Sequence, residues 1–249
     1  MLLLMKRILL ILFIIHIQSF SQTLKSDLIK DNLKGKVKST LVTGYFAEKK
    51  NGKIVATINI TALGISSTKY NNKGNISEEK HYSYRKGNEL VSTHTYEFNA
   101  KNQIIKKKEV SWMGTYLYTY EYDLKDNNLE EIVTENSGKL ISKFDKNTNR
   151  IEESYHPNDG SAGRKTIYKY DDLNNLIEEN NVNDYYDIYE YNTKRNVIKK
   201  TRYSSEGKLY FIDNIVYTKY DSKGNWIEHI TYDKNDEPVI ITKRKIEYY

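Results

Sequence analysis

The chain contains no cysteine. That absence removes disulfide bridges, zinc–thiolate centres, a cysteine nucleophile and the lipid-bearing cysteine of a bacterial lipoprotein. Two prolines and twelve glycines in 249 residues exclude collagen-like and proline-rich linker classes. Blocks of one charge are missing as well: lysines and glutamates alternate, whereas a nucleic-acid binder gathers its positive charge on one face or in one run. The net charge of +6 falls to 6 − 2 = +4 once Lys6 and Arg7 are set aside. What the chain has in quantity is tyrosine, 23 of them, and disordered segments are poor in aromatics, so the 29% of charged residues belong to a folded chain. A mean hydropathy of −0.74 describes a soluble protein, long enough to bury a core as one large domain or two small ones.

The N-terminus reads as an export signal. Lys6 and Arg7 form a short positive region, Ile8 to Ile17 an apolar one broken only by His16, and Ser19-Phe20-Ser21 sets small residues around a cut before Gln22. A membrane span needs about 20 apolar residues, and Gln18, Ser19, Ser21 and Gln22 end this one early. The expected division is a signal peptide over residues 1–21 and a single domain over 22–249, with no stable membrane span after cleavage and a secreted or periplasmic location.

The remainder is repetitive. An aromatic, an Asp or Asn, two or three variable residues, a Gly or Asn and an apolar residue recur seven times, with the aromatics at Tyr70, Phe98, Tyr122, Phe144, Tyr170, Tyr191 and Tyr220. The cleanest copy is Tyr220-Asp221-Ser222-Lys223-Gly224-Asn225-Trp226. Spacings of 28, 24, 22, 26, 21 and 29 residues suit hairpins of variable length better than a rigid solenoid. Residues before each copy alternate, as in Thr166-Ile167-Tyr168-Lys169-Tyr170, which is the signature of a strand. Asp171 or Asp221 opens a turn by bonding its own backbone two residues on. Gly74 or Gly224 supplies the left-handed conformation of a turn with a bulge. Asn102 and Asn174 tolerate that conformation too, whereas Arg195 predicts a different or strained turn. The copies at Tyr122 and Phe144 read as one residue longer, and a second, shorter turn is expected at residues 50–53, 136–139 and 205–208. Residues 27–33 form two helical turns at most. Sixteen candidate strands result, and open twisted sheets rarely exceed about 10. The fold class is therefore all-β, an antiparallel meander of repeated hairpins in a long, curled or closed sheet.

Tyr-Asp-x-x-Gly-Asn followed by an apolar residue, every twenty-odd residues over roughly 70–249, resembles the YD repeat of rearrangement-hotspot (Rhs) proteins. Gly207-Lys208-Leu209-Tyr210 looks like a MORN-type repeat, and Leu33-Lys34-Gly35-Lys36-Val37-Lys38 with the cleavage site looks like secreted repeat proteins of Bacteroidetes. The resemblance implies an all-β, secreted or surface-exposed module of the kind credited with carbohydrate binding. The large relatives build a hollow shell around a C-terminal toxin; this chain has too few repeats for a shell and no toxin domain after them.

Catalytic chemistry is sparse. His81, His94, His156 and His229 are isolated in sequence, with no ligand spacing among them, and Gly160-Ser161-Ala162-Gly163 lacks the strand and helix of a nucleophile elbow. Asp123, Asp145, Asp171 and Asp221 stand one per hairpin, so each caps its own turn rather than sharing a calcium ion. Glu130-Glu131, Glu152-Glu153 and Glu178-Glu179 point to opposite strand faces and read as edge protection. No catalytic residue, metal site or cofactor is expected. The concentrated feature is aromatic: Trp112, Tyr116, Tyr118, Tyr120 and Tyr122 share a parity and hence one strand face, and Tyr82 with Tyr84, Tyr168 with Tyr170 and Tyr189 with Tyr191 repeat the arrangement. Such a face serves either cross-strand packing or a platform for sugar rings. The expected function is a non-catalytic binding module for a glycan, or for a cell-surface protein taken at a strand edge. The alternative is an envelope glycoside hydrolase using dispersed carboxylates about 5–10 Å apart. An outer-membrane barrel is disfavoured because Lys199, Lys200 and Arg202 charge both faces of one strand.

Overall fold

The computed structural model describes residues 24–57, 65–83, 89–125 and 128–249, with the backbone alone of Lys125 and Asn128. The signal peptide and Tyr84 lie outside the described residues. One helical turn, α1 (Asp27–Lys30), precedes the strands β1 (Val37–Lys50), β2 (Lys53–Ala56), β3 (Ile65–Tyr70), β4 (Ile76–Ser83), β5 (Glu89–Phe98) and β6 (Ile104–Ser111). There follow β7 (Gly114–Lys125), β8 (Asn128–Glu135), β9 (Gly138–Phe144), β10 (Arg150–Pro157), β11 (Arg164–Tyr170) and β12 (Leu176–Asn181). The last are β13 (Tyr185–Tyr191), β14 (Val197–Ser204), β15 (Leu209–Tyr220), β16 (Trp226–Tyr232) and β17 (Pro238–Tyr248).

From β3 onward each strand pairs antiparallel with the next. β1 then joins the two ends of that meander, meeting β3 on one side and β17 on the other. The sheet is thus a closed barrel of sixteen strands, with β2 outside the ring as the hairpin partner of residues 47–50. Closure corrects one expectation: the ring has no free edge, so the paired glutamates do not protect one. Glu152, Glu178 and Glu228 instead stand on the outer wall in ion pairs with Lys143, Lys169 and Lys219 at 2.9–3.0 Å. In the three Glu-Glu pairs the second residue, Glu131, Glu153 or Glu179, points inward, as the alternation requires.

From β3 onward the odd-to-even connections all reach the same rim, and six of them share one construction. In the last, the Asp221 N–H donates to the Asn225 carbonyl at 2.9 Å, while Asp221 Oδ1 accepts the N–H groups of Lys223 and Asn225. Gly224 takes a φ of +80°, as the motif demands. Asn71, Asn99, Asp145, Asp171 and Asn192 open turns with the same backbone bonds.

The structure corrects four details. Arg195 makes the same turn, in the left-handed conformation at φ 62°, not a different one. The Asp145 turn is not longer: Thr148 occupies the left-handed position at φ 60° and Arg150 replaces the apolar residue. Asp123 opens no turn, because β7 runs on to Lys125 and its carboxylate accepts the Leu124 N–H instead. At the opposite rim the Ser204–Lys208 connection is the long kind, not a short one, and Asp233 opens a further long turn.

An asparagine ends five of these six turns, with Gln103 ending the other, and the asparagines point inward. Asn75, Asn149, Asn175, Asn196 and Asn225 are 2–7% exposed. Across this mouth lies the segment 24–36, and three of the asparagines hold it. Asn225 accepts the Lys34 N–H at 2.8 Å and donates to the Lys34 carbonyl at 2.9 Å. The Asn32 amide reaches the Lys194 carbonyl and Asn196, and Lys25 reaches Asn149. On the far side, Asp27 accepts the Ile76 N–H, and the Leu28 N–H donates to the Gly74 carbonyl. Gly74 is constrained twice, by a φ of +83° and by Leu28, whose Cδ1 would stand 3.1 Å from an added Cβ. Leu33, Val37 and Tyr70 bury the join, with Leu28, Ile76 and Ile246 against them.

Asn225→Ala should therefore cost about 3 kcal/mol, because it removes the partners of both Lys34 backbone groups and of the Tyr248 hydroxyl at once. Glu237 ends the Asp233 turn at the opposite rim, where it is exposed, and Glu237→Ala should cost under about 0.5 kcal/mol. Urea unfolding of the two variants checks this; equal losses would mean that the asparagine serves its own turn alone.

Candidate functional site

Side chains can fill an eight-stranded barrel, whereas 16 strands enclose more room than they can occupy. Above the plug a cavity of about 950 Å³ remains. Its floor includes Lys25, Asp27 and Ile29, and its wall comes from the inner faces of β4 to β13. Tyr118, Tyr120 and Tyr122 of β7 line it together with Tyr96, Tyr155, Tyr168, Tyr170 and Tyr191. Leu117, the intervening residue, faces out and is 51% exposed.

The sequence-derived stripe is thus a lumen wall, not an open platform. Tyr116 shares its inner face opposite Glu109. Trp112 does not belong to it: with Met113 it forms the two-residue tip between Ser111 and Gly114, 77% exposed, where strand parity no longer applies. Tyr82, opposite Ile65, lies on the outer face.

The lumenal tyrosines are tied to carboxylates and carbonyls. Tyr122 donates to Glu131 at 2.9 Å, Tyr96 to Glu79 at 2.5 Å, Tyr118 to Glu109 at 3.3 Å and Tyr189 to Glu179 at 3.2 Å. Burial, reinforced by Glu109, pushes the Tyr118 hydroxyl up to about 12, and burial raises Tyr120 and Tyr122 as well. All remain neutral donors at physiological pH. Arg150 stands among them, its guanidinium 2.6 Å from Glu153 and 3.6 Å from Glu131. Nearer the rim, Tyr170, Tyr191 and Tyr217 each donate to the first carbonyl of the preceding hairpin's return strand, at Arg150, Leu176 and Val197. Arg244 does the same for Trp226.

Two inner clusters were not visible along the chain. Asp187, 1% exposed, takes a bidentate pair from Arg202 at 2.7 Å and Lys200 at 3.0 Å. The register of β4 and β5 sets Glu79 opposite His94, and Glu79, His81 and His94 bring ligand atoms within 4.8 Å of one another. Sequence spacing hides this trio because only strand register unites it. His229 packs on Trp226 at 4.7 Å between ring centroids and on Tyr217 at 5.4 Å. Its Nδ1 has no partner among the described residues.

No family model matches the chain, and no curated protein matches its sequence. Among solved structures it is similar to a porin-like protein from Bacteroides uniformis, at 10% identity and a TM-score of 0.36, covering 85% of this chain and 96% of that one. A second porin-like protein, from Bacteroides vulgatus, shows 13% identity and a TM-score of 0.29 over 86% and 98% of the two chains. The Tc holotoxin pore of Photorhabdus luminescens shows 13% identity and a TM-score of 0.30 over 72% of this chain. This chain spans only 12% of that toxin chain. At such scores the likeness carries no property of those proteins to this one.

His229 yields a pH dependence. Burial, then the Arg244 charge, lowers its imidazole to about 4, against about 6.5 in an unfolded chain. Between those values the unfolded state holds the extra proton, so stability is complete above about pH 6.5 and is lost as pH falls toward 4. The loss from pH 7 to pH 5 should be about 2 kcal/mol. His229→Phe should flatten that stretch of the urea-midpoint profile; an unchanged slope would place the acid sensitivity elsewhere.

Proposed function

We propose that the protein is a secreted or cell-envelope binding module that takes a carbohydrate into the tyrosine-lined lumen. The observation that carries the reading is the cavity of about 950 Å³ walled by tyrosine rings and hydroxyls with Glu131, Glu153 and Arg150 among them. Sugars present apolar ring faces edged by hydroxyls, and a tyrosine offers the complementary pair, a flat apolar ring and a hydrogen-bonding tip. A site of this size with a few convergent polar groups suits a small ligand.

Other features agree. Cleavage before Gln22 would leave intact the plug, whose contacts begin at Lys25. The Tyr-Asp-x-x-Gly-Asn resemblance to YD repeats points to a secreted module of the same kind. Lysine–glutamate pairs on the outer wall suit an aqueous exterior. The glycoside hydrolase alternative needs one carboxyl free to give a proton and another to attack or activate water. Glu131 and Glu153 are both engaged by Arg150, which favours binding over hydrolysis. No catalytic residue and no nucleic-acid partner are assigned.

A glycan array probed with residues 22–249 should show selective retention of an oligosaccharide class. In calorimetry with a retained glycan, Tyr118→Ala and Tyr120→Ala should each weaken binding at least about tenfold, by loss of ring stacking worth over 1 kcal/mol. Leu117→Ser on the outer wall should leave it unchanged. Failure to retain any glycan, or equal losses for inner and outer variants, would reject the lumenal carbohydrate site.

A further inference from the structure

We propose that Glu79, His81 and His94 form a zinc-class metal site on the lumenal wall of β4 and β5. This inference stands independently of the carbohydrate reading. Glu79 and His81 are two residues apart on the inner face of β4, and antiparallel register brings His94 opposite Glu79. One ligand atom from each lies within 4.8 Å of the other two. A tetrahedral ion with bonds of about 2.0–2.1 Å separates its ligand atoms by about 3.4 Å, so modest side-chain rotation completes the site. The His94 Nδ1 to Glu79 distance is already 3.7 Å, and the two imidazoles stand 5.2 Å apart between centroids.

The surrounding groups are arranged as metal ligands require. A ligating histidine usually gives its second N–H to a carboxylate, which fixes the tautomer. With Nδ1 turned to Glu79, the His94 Nε2 faces Glu109 at 3.5 Å. Glu79 itself accepts the Tyr96 hydroxyl at 2.5 Å, which fixes its orientation. Lys107, the nearby cation, lies 3.6 Å from Glu109, which offsets its charge. Two imidazoles and one carboxylate suit a zinc-class ion and leave a fourth position for water or another donor atom.

The test uses untagged mature protein, stripped with a chelator and titrated with Co²⁺ as a spectroscopic stand-in for Zn²⁺. The expected result is one equivalent bound with the intense visible bands of four-coordinate Co²⁺, abolished by added Zn²⁺. His81→Gln and His94→Gln should each remove the bands. Glu109→Gln, which changes no ligand, should weaken affinity about 10–100-fold while the circular dichroism stays unchanged. A weak six-coordinate spectrum or no binding in the wild type would overturn the site without reference to any variant. Bands that survive in the His81→Gln/His94→Gln double variant would overturn it equally.

Discussion

The buried asparagine that ends five of the six rim turns is the constraint on which the molecule depends. A ring of sixteen strands leaves one mouth wide, and the segment that crosses it has little regular structure with which to satisfy its own backbone. Buried backbone groups without partners cost about as much as lost hydrogen bonds. Asn225 supplies both partners of Lys34, and Asn196 and Asn149 hold Asn32 and Lys25. The same asparagines give their own N–H groups to the opening Asp or Asn of the turn. One residue type thus closes the hairpin and seats the plug, which accounts for its recurrence at this rim and for Glu237 or Lys208 in its place at the other.

The plug closes one mouth of the ring. The inner wall then has to be polar enough to stay hydrated and large enough to fill part of a wide interior, and tyrosine meets both demands. Hydroxyls paired with Glu79, Glu109, Glu131 and Glu179 keep the buried carboxylates satisfied, and the rings narrow the lumen to the observed cavity. Arg150 completes the lining, and Arg244 stacks 3.7 Å over Trp226 elsewhere on the wall. The lysine–glutamate alternation that runs through the sequence has a separate destination on the outside, where exposed pairs contribute little to stability individually, about 0–1 kcal/mol each.

Much of this was legible in the residues. The strand alternation, the turn chemistry of Asp171 and Asp221 and the need for the sheet to curl or close all follow from spacing and local conformation. What spacing could not convey was register. Trp112 shares a parity with Tyr116, but a two-residue turn between them takes it off the face. His81 and His94 look isolated until β4 lies against β5. The inward direction of the tyrosines was undetermined for a related reason: which face of an alternating strand is concave depends on closure, a property of the whole ring. The asparagine was visible as part of the motif, yet its partner lies as far as 191 residues away at Lys34.

Amide hydrogen exchange at the plug tests the central claim most directly. The N–H groups of Leu28, Leu33 and Lys34 are bonded to the Gly74 carbonyl, the Leu28 carbonyl and Asn225 Oδ1. If the segment is an integral stopper, these amides should exchange on the slow timescale of the neighbouring strand amides in β1 and β17 and lose protection together with them. Exchange at the rate of an unstructured peptide, with β1 and β17 still protected, would show that the barrel stands without its plug and would contradict the account.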